Sequence, residues 1–186
     1  MTEKTTLRAQ LKRAWTYTIE HEYAEQMINS EHGLQVCFCA ALHAEFEKSK
    51  MSKKSRRLFI EPRLRFPDGS ARHPDIVICD TKSIVGIVEL KYTPRGRPGK
   101  PSLFKDMETL IQSVTDANSL QISNDRYLGK TTVKRSFSLA ENAVLCWAGV
   151  YKGKEIDKIK NESLRKRFLQ LSALTIKDAN PTICLG

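Results

Sequence analysis

Apolar residues recur every fourth position through the first part of the chain, at Leu7, Leu11, Trp15, Ile19, Tyr23 and Met27, with polar residues between them and no Gly or Pro. That period is one face of an α-helix, so it predicts an amphipathic helix over 5–28 whose stripe enters the core. Asn29 and Ser30 have side chains suited to an N-cap, and Leu34, Phe38, Leu42 and Phe46 beyond them mark a second helix over 31–47. Lys48, Lys50, Lys53, Lys54, Arg56 and Arg57 follow without apolar periodicity and read as a basic, mobile loop.

The pattern then changes to short apolar runs at 58–66, 75–79 and 84–92, separated by turn formers such as Pro67-Asp68-Gly69 and Asp80-Thr81-Lys82-Ser83. These predict three strands in an antiparallel meander. Between 93 and 101 stand three prolines and two glycines, so this segment is irregular, and Leu103, Met107, Leu110, Ile111 and Val114 predict a third helix to about residue 119. A polar connection runs to about Leu139; 143–151 reads as a buried strand and 156–174 as a basic amphipathic helix. No repeat or low-complexity tract interrupts this order.

A chain of 186 residues with 40% hydrophobic content supports one well-buried core, so 1–186 is read as a single domain: an N-terminal helix at 1–30, a core at 31–151 and a C-terminal helical extension at 152–186. Lys and Arg number 31 against 21 Asp and Glu, a net charge of +10, which draws polyanions, nucleic acid first among them. The five cysteines have no CxxC spacing, and three of them, Cys37, Cys79 and Cys146, lie in apolar runs; they read as reduced core residues rather than disulfides or a zinc site. With no apolar signal core in the first residues and no stretch of about 20 apolar residues, the expectation is a cytoplasmic protein without a membrane partner. His21-Glu22 is followed by Glu25 rather than a second histidine, which excludes the HExxH zinc helix, and no phosphate-binding glycine loop or GxSxG elbow is present.

The chemistry concentrates at the end of the third strand. Ile84-Val85-Gly86-Ile87-Val88 is apolar on both faces, as in a central strand, and then comes Glu89-Leu90-Lys91. Strand side chains alternate, so Glu89 and Lys91 emerge on one face, a carboxylate and an ammonium at the rim of the core. Such groups are costly there unless paired or bound to metal. The second strand opens with Pro74-Asp75, and antiparallel pairing brings that start beside Glu89. A three-residue turn at 81–83, or a bulge with the same effect, sets Asp75 opposite Glu89 on one face; a two-residue turn alone would separate them. Two carboxylates so placed repel unless a cation lies between them, and their hardness suits Mg²⁺ or Mn²⁺.

Pro74-Asp75, thirteen intervening residues and Glu89-Leu90-Lys91 together resemble the signature of the PD-(D/E)xK nucleases, the restriction-endonuclease-like superfamily. The resemblance covers 31–151 and implies an α/β fold: an αβββαβ core, its mixed sheet flanked by helices, with extra N-terminal and C-terminal helices. It also implies a Mg²⁺-dependent endonuclease acting on nucleic acid, DNA first. Asp75, Glu89 and the Leu90 carbonyl would ligate the metal, and Lys91 would position or help deprotonate the attacking water. Family members often add a glutamate from the preceding helix, here Glu31 or Glu45. Fourteen residues of helix, roughly 21 Å, keep both from reaching one metal, and topology favours Glu31, since its end of the helix folds back to the active end of the sheet.

On the helix after the motif, Lys105 and Gln112 are candidates for a polar residue facing the site. Arg95, Arg97, Lys100 and Lys105 follow the catalytic strand and are placed to grip phosphates. A homodimer is expected if both strands of a duplex are cut. The rival from another class is a nuclease-fold module that binds nucleic acid or a protein partner without cutting.

Overall fold

The computed structural model describes residues 6–48, 56–116, 120–123 and 135–186. Most of the basic connection, at 49–55, and most of the polar connection before Leu139, at 117–119 and 124–134, lie outside the described residues. Within them the chain is an α/β protein with three α-helices and a nine-strand mixed open sheet.

The first helix, α1 (Leu7–Tyr17), starts at Thr6, whose hydroxyl accepts from the Ala9 N–H, and buries Leu7, Leu11 and Trp15 as the four-residue period requires. The helix does not continue to residue 28. A π-helical turn over Thr18–Tyr23 adds a residue per turn and shifts the phase, so Ile19 is still buried while Met27, expected on the core stripe, is 67% exposed. The second helix, α2 (Glu31–Lys48), begins where Ser30 Oγ accepts from the Gly33 N–H at 3.0 Å. At its far end Glu45 is held by Arg13 at 2.7 Å and Lys48 at 2.9 Å, which ties α2 to α1.

The expected first strand is two strands. β1 (Arg57–Ile60) ends at Glu61, which takes a left-handed φ of 45°, and Pro62 turns the chain out of the sheet. β2 (Arg63–Arg65) then forms a hairpin with β3 (Ala71–Arg72) and pairs on its other side with β6 (Leu120–Ser123). β4 (Ile76–Cys79) lies antiparallel between β1 and β5 (Ser83–Thr93), as the meander requires. α3 (Lys100–Thr115) crosses back, allowing β7 (Arg135–Lys152) to run parallel to β5. Its first residues pair with β6, so one long strand links the hairpin arm to the central sheet.

The expected helix over 156–174 is absent. A 3₁₀ turn at Arg165–Arg167 leads into β8 (Phe168–Thr175), which pairs parallel with β7 and antiparallel with β9 (Thr182–Leu185). The C-terminal segment is therefore part of the sheet and not a helical extension. β8 is covered on both faces: Leu169, Leu171 and Ala173 pack on the side of α1 and α2, and Phe168 and Leu174 on the side of α3. A strand apolar on both faces loses its period of two and imitates a helix stripe. No helix among the described residues is long and apolar enough to cross a membrane.

Candidate active site

Asp80 closes the turn that joins the two strands of the site. Its Oδ1 accepts from the Lys82 and Ser83 N–H groups at 2.8 and 2.7 Å, and its N–H donates to the Ser83 carbonyl, closing a two-residue turn at 81–82. Alone that turn would set Asp75 and Glu89 on opposite faces. The ladder slips between Ile78 and Cys79, however: Cys79 pairs with Ile84 but Ile78 with Gly86, so Val85 is bulged. Beyond the bulge Ile78, Val77 and Ile76 face Gly86, Ile87 and Val88. Continued by one residue, this register sets Asp75 opposite Glu89 on the α3 side. The bulge supplies the face that the sequence reading required.

Around this pair the fold gathers three further charged groups. Asp75 Oδ2 accepts from the Leu90 N–H at 2.5 Å, while the Asp75 carbonyl accepts from the Gln35 side chain at 3.0 Å and the Glu61 N–H at 2.9 Å. Gln35, one turn after Glu31 on α2, thus holds the acid's backbone. Glu31 itself accepts from the Tyr92 N–H at 2.9 Å and stands 3.6 Å from Lys91 Nζ. From the opposite side Asp106 of α3 approaches Lys91 Nζ at 3.5 Å and accepts from Trp147 Nε1 at 3.2 Å. Lys91 is therefore an ammonium between two carboxylates, with Glu89 on the same strand face.

The electrostatics are those of an acidic cluster short of cations. Glu89 is 6% exposed. Burial, then the neighbouring Asp75 and Asp106, hold its carboxyl well above the ordinary range, with Lys91 and Lys105 pulling the other way. Burial likewise pushes Asp75 up to about 6, opposed by the Leu90 N–H and reinforced by Glu31. Asp106 is raised by burial against the pull of Lys91 and Trp147.

Among the described residues, no group of three or more His, Cys, Asp or Glu side chains forms a metal cage. Mg²⁺ does not require one, because it commonly takes one or two carboxylates and leaves the other positions to water and phosphate. Asp75 and Glu89 suit that demand: two hard oxygen donors whose mutual repulsion a cation relieves. The donor set that the family resemblance assigns fits the chain on these grounds.

Other expected residues are distributed less closely. Lys105 is exposed, one residue before Asp106, and its charge is felt by Glu89. Arg95 and Lys100 are exposed on the segment leading from β5 into α3. Arg97 is engaged by Asp157 through contacts of 2.8 and 3.0 Å, which fasten this segment to the C-terminal region. Gln112 donates to Ser70 Oγ at 2.9 Å, so it braces the β2–β3 hairpin rather than the acids.

Asp106, Trp147 and Gln35 were not found by sequence reasoning. A signal existed for Asp106, since it falls three residues after Leu103 and four before Leu110, within the stripe that faces the core. A cavity of about 1580 Å³ opens near the other end of β5, beside Asp80 and Val85 and bordered by Arg8, Glu141 and Lys166. It contains none of these groups, and the clustered charges, not the size of the hollow, locate the candidate chemistry. No family model, curated protein or solved structure matches this chain.

Proposed function

We propose that this protein is a metal-dependent nuclease that hydrolyses phosphodiester bonds in nucleic acid, DNA first, on a core of the PD-(D/E)xK type. The observation that carries the reading is the register of β4 on β5, which directs Asp75 and Glu89 to one face of the sheet with Lys91 beside them. The succession of α2, β1, β4, β5, α3 and β7 supports a restriction-endonuclease-like core.

Asp75, Glu89 and the Leu90 carbonyl would hold Mg²⁺ or Mn²⁺. When bound, such an ion lowers the pKa of water and neutralises charge on the attacked phosphate. The chain supplies the rest. Lys91 orients the attacking water and stabilises negative charge growing on the phosphate. Glu31 and Asp106 keep its ammonium in place from two sides, and Trp147 anchors Asp106. Arg95, Lys100 and Lys105 present exposed positive charge to the polynucleotide backbone.

The test is incubation with supercoiled plasmid, single-stranded and branched DNA, and RNA, with Mg²⁺ or Mn²⁺ and with EDTA. Cleavage that needs the metal and disappears in Asp75→Ala, Glu89→Ala and Lys91→Ala is the expected result; no cleavage of any substrate would remove the proposal. A non-cleaving binding module is the second reading, and the two ion pairs that already satisfy Lys91 speak for it. Tight binding without cutting in Mn²⁺ would decide in its favour.

A further inference from the structure

Three donors from three elements hold Asp75. The Leu90 N–H of β5 donates to its Oδ2 at 2.5 Å, and its carbonyl accepts from the Glu61 N–H past the end of β1 at 2.9 Å and from Gln35 Nε2 of α2 at 3.0 Å. Two of these donors are main-chain groups that any residue except proline supplies; Gln35 is the side chain among them. Because a carbonyl only accepts, the Gln35 amide turns its nitrogen to Asp75 and its oxygen away. That oxygen is buried and has no hydrogen-bond partner among the described residues, and Gln35 as a whole is 2% exposed. A buried carbonyl without a donor lowers stability. Methionine, unbranched and of similar length, would fill the space without that cost, so what the amide adds at this position is its bond to Asp75.

Asp75 needs such a bond because it lies one residue beyond the last ladder pair of β4 and β5, Ile76 with Val88, and the ends of elements open most readily. The same helix also reaches the other strand of the site, since Glu31, one turn before Gln35, accepts from the Tyr92 N–H on β5. We propose that Gln35 is a positioning residue: through it α2 fixes Asp75 against Leu90 and presents Oδ1, which no donor among the described residues engages, on the face shared with Glu89. That this placement forms half of a cation site rests on the nuclease reading above. The placement itself follows from the bonds alone.

The test compares the full chain with its Gln35→Met variant, and with Gln35→Leu should methionine fail to fold, by amide hydrogen exchange in EDTA and by calorimetric titration with Mn²⁺. The Leu90 and Glu61 amides both bond to Asp75 and report on it without metal. They are expected to exchange roughly 2- to 10-fold faster in the variant, with the rest of the sheet unchanged and the denaturant midpoint no lower. Mn²⁺ binding is expected to weaken by about 10- to 100-fold. Gln35→Glu, whose carboxylate has no proton to give the Asp75 carbonyl, is expected to loosen the same two amides.

Unchanged exchange at Leu90 and Glu61 would overturn the inference. So would faster exchange spread over the whole sheet with a lower midpoint, or failure of both apolar variants to fold, since each assigns Gln35 to packing alone. Loosened amides beside an unaltered Mn²⁺ affinity would overturn its bearing on the cation. These outcomes are separate from the nuclease reading: a wild type that binds no Mn²⁺ removes the metal, and the two amides still decide whether Gln35 places Asp75. Metal-dependent cutting lost in Asp75→Ala, in turn, survives a Gln35→Met variant that exchanges like the wild type.

Discussion

The indole of Trp147 lies across Gly149, so closely that a Cβ at position 149 would stand 2.4 Å from its Cη2 and 2.8 Å from its Cζ3. Across the parallel ladder Trp147 neighbours Glu89 and Gly149 neighbours Lys91, so the ring covers the sheet beside the candidate site while its Nε1 donates to Asp106. Gly149→Ala forces the ring away and takes the donor from Asp106. The expected cost is about 1–3 kcal/mol of stability and a roughly 10- to 100-fold fall in cleavage. Denaturant titration followed by tryptophan fluorescence checks the first, and a plasmid assay the second; an unaltered indole spectrum with full activity would show that the ring does not matter.

Stability should fall as pH rises through the range in which Asp75 ionises. Its folded carboxyl is raised to about 6, chiefly by burial. Between the ordinary carboxylate pKa of about 4 and that raised value the folded chain binds more protons than the unfolded chain, so the contribution is complete below about pH 4 and lost above about pH 6. The amount is on the order of 2 kcal/mol. Denaturant midpoints in EDTA from pH 4 to 8 measure it, with Asp75→Asn expected to make the profile less steep, while Glu89 and Asp106, also raised by burial, keep part of the slope. Mn²⁺ competes with the same proton, so its stabilising effect should grow over that window; a metal effect larger at pH 5 than at pH 7 would contradict these ligands.

Glu89→Gln separates stability from function. Its carboxylate is buried beside Asp75 and Asp106, and the neutral amide has nearly the same shape. Without metal, the variant is expected to be more stable than the wild type at pH 7 by on the order of 1 kcal/mol, and inactive. A thermal melt in EDTA beside a cleavage assay gives both answers. A destabilised variant would show that the carboxylate is well compensated without a cation.

The two glutamates of α2 should behave differently. Glu31 touches Lys91 and the Tyr92 N–H, whereas Glu45 pairs with Arg13 and Lys48 at the other end. Glu31→Gln is expected to lower turnover by roughly 10- to 100-fold with little change in folding. Glu45→Gln is expected to cost about 1 kcal/mol of stability with turnover intact. Parallel melts and rates for the two variants suffice, and the reverse pattern would place the functional acid at the wrong end of the helix.

Where one face of an element is buried, the chain reports it well. Leu7 to Ile19 keep their four-residue period because α1 packs one stripe on the sheet, and α2 and α3 follow the same rule. Glu89 and Lys91 were legible for a related reason: charges ending an apolar strand have few structural excuses. Asp106 was harder to read because a single acid between Leu103 and Leu110 acquires meaning only from Lys91 and Trp147, which reach it from other strands.

By itself, then, the sequence determined the helical stripes and the central strands, which depend on neighbours within a turn or a hairpin, and it named four of the five charged groups, Glu31, Asp75, Glu89 and Lys91. The tertiary structure alone decided that Asp106 rather than Gln112 meets Lys91, and that 168–175 is a strand. Each of those outcomes is settled by partners distant along the chain, such as β7 and β9 for β8, and local periodicity carries no record of them.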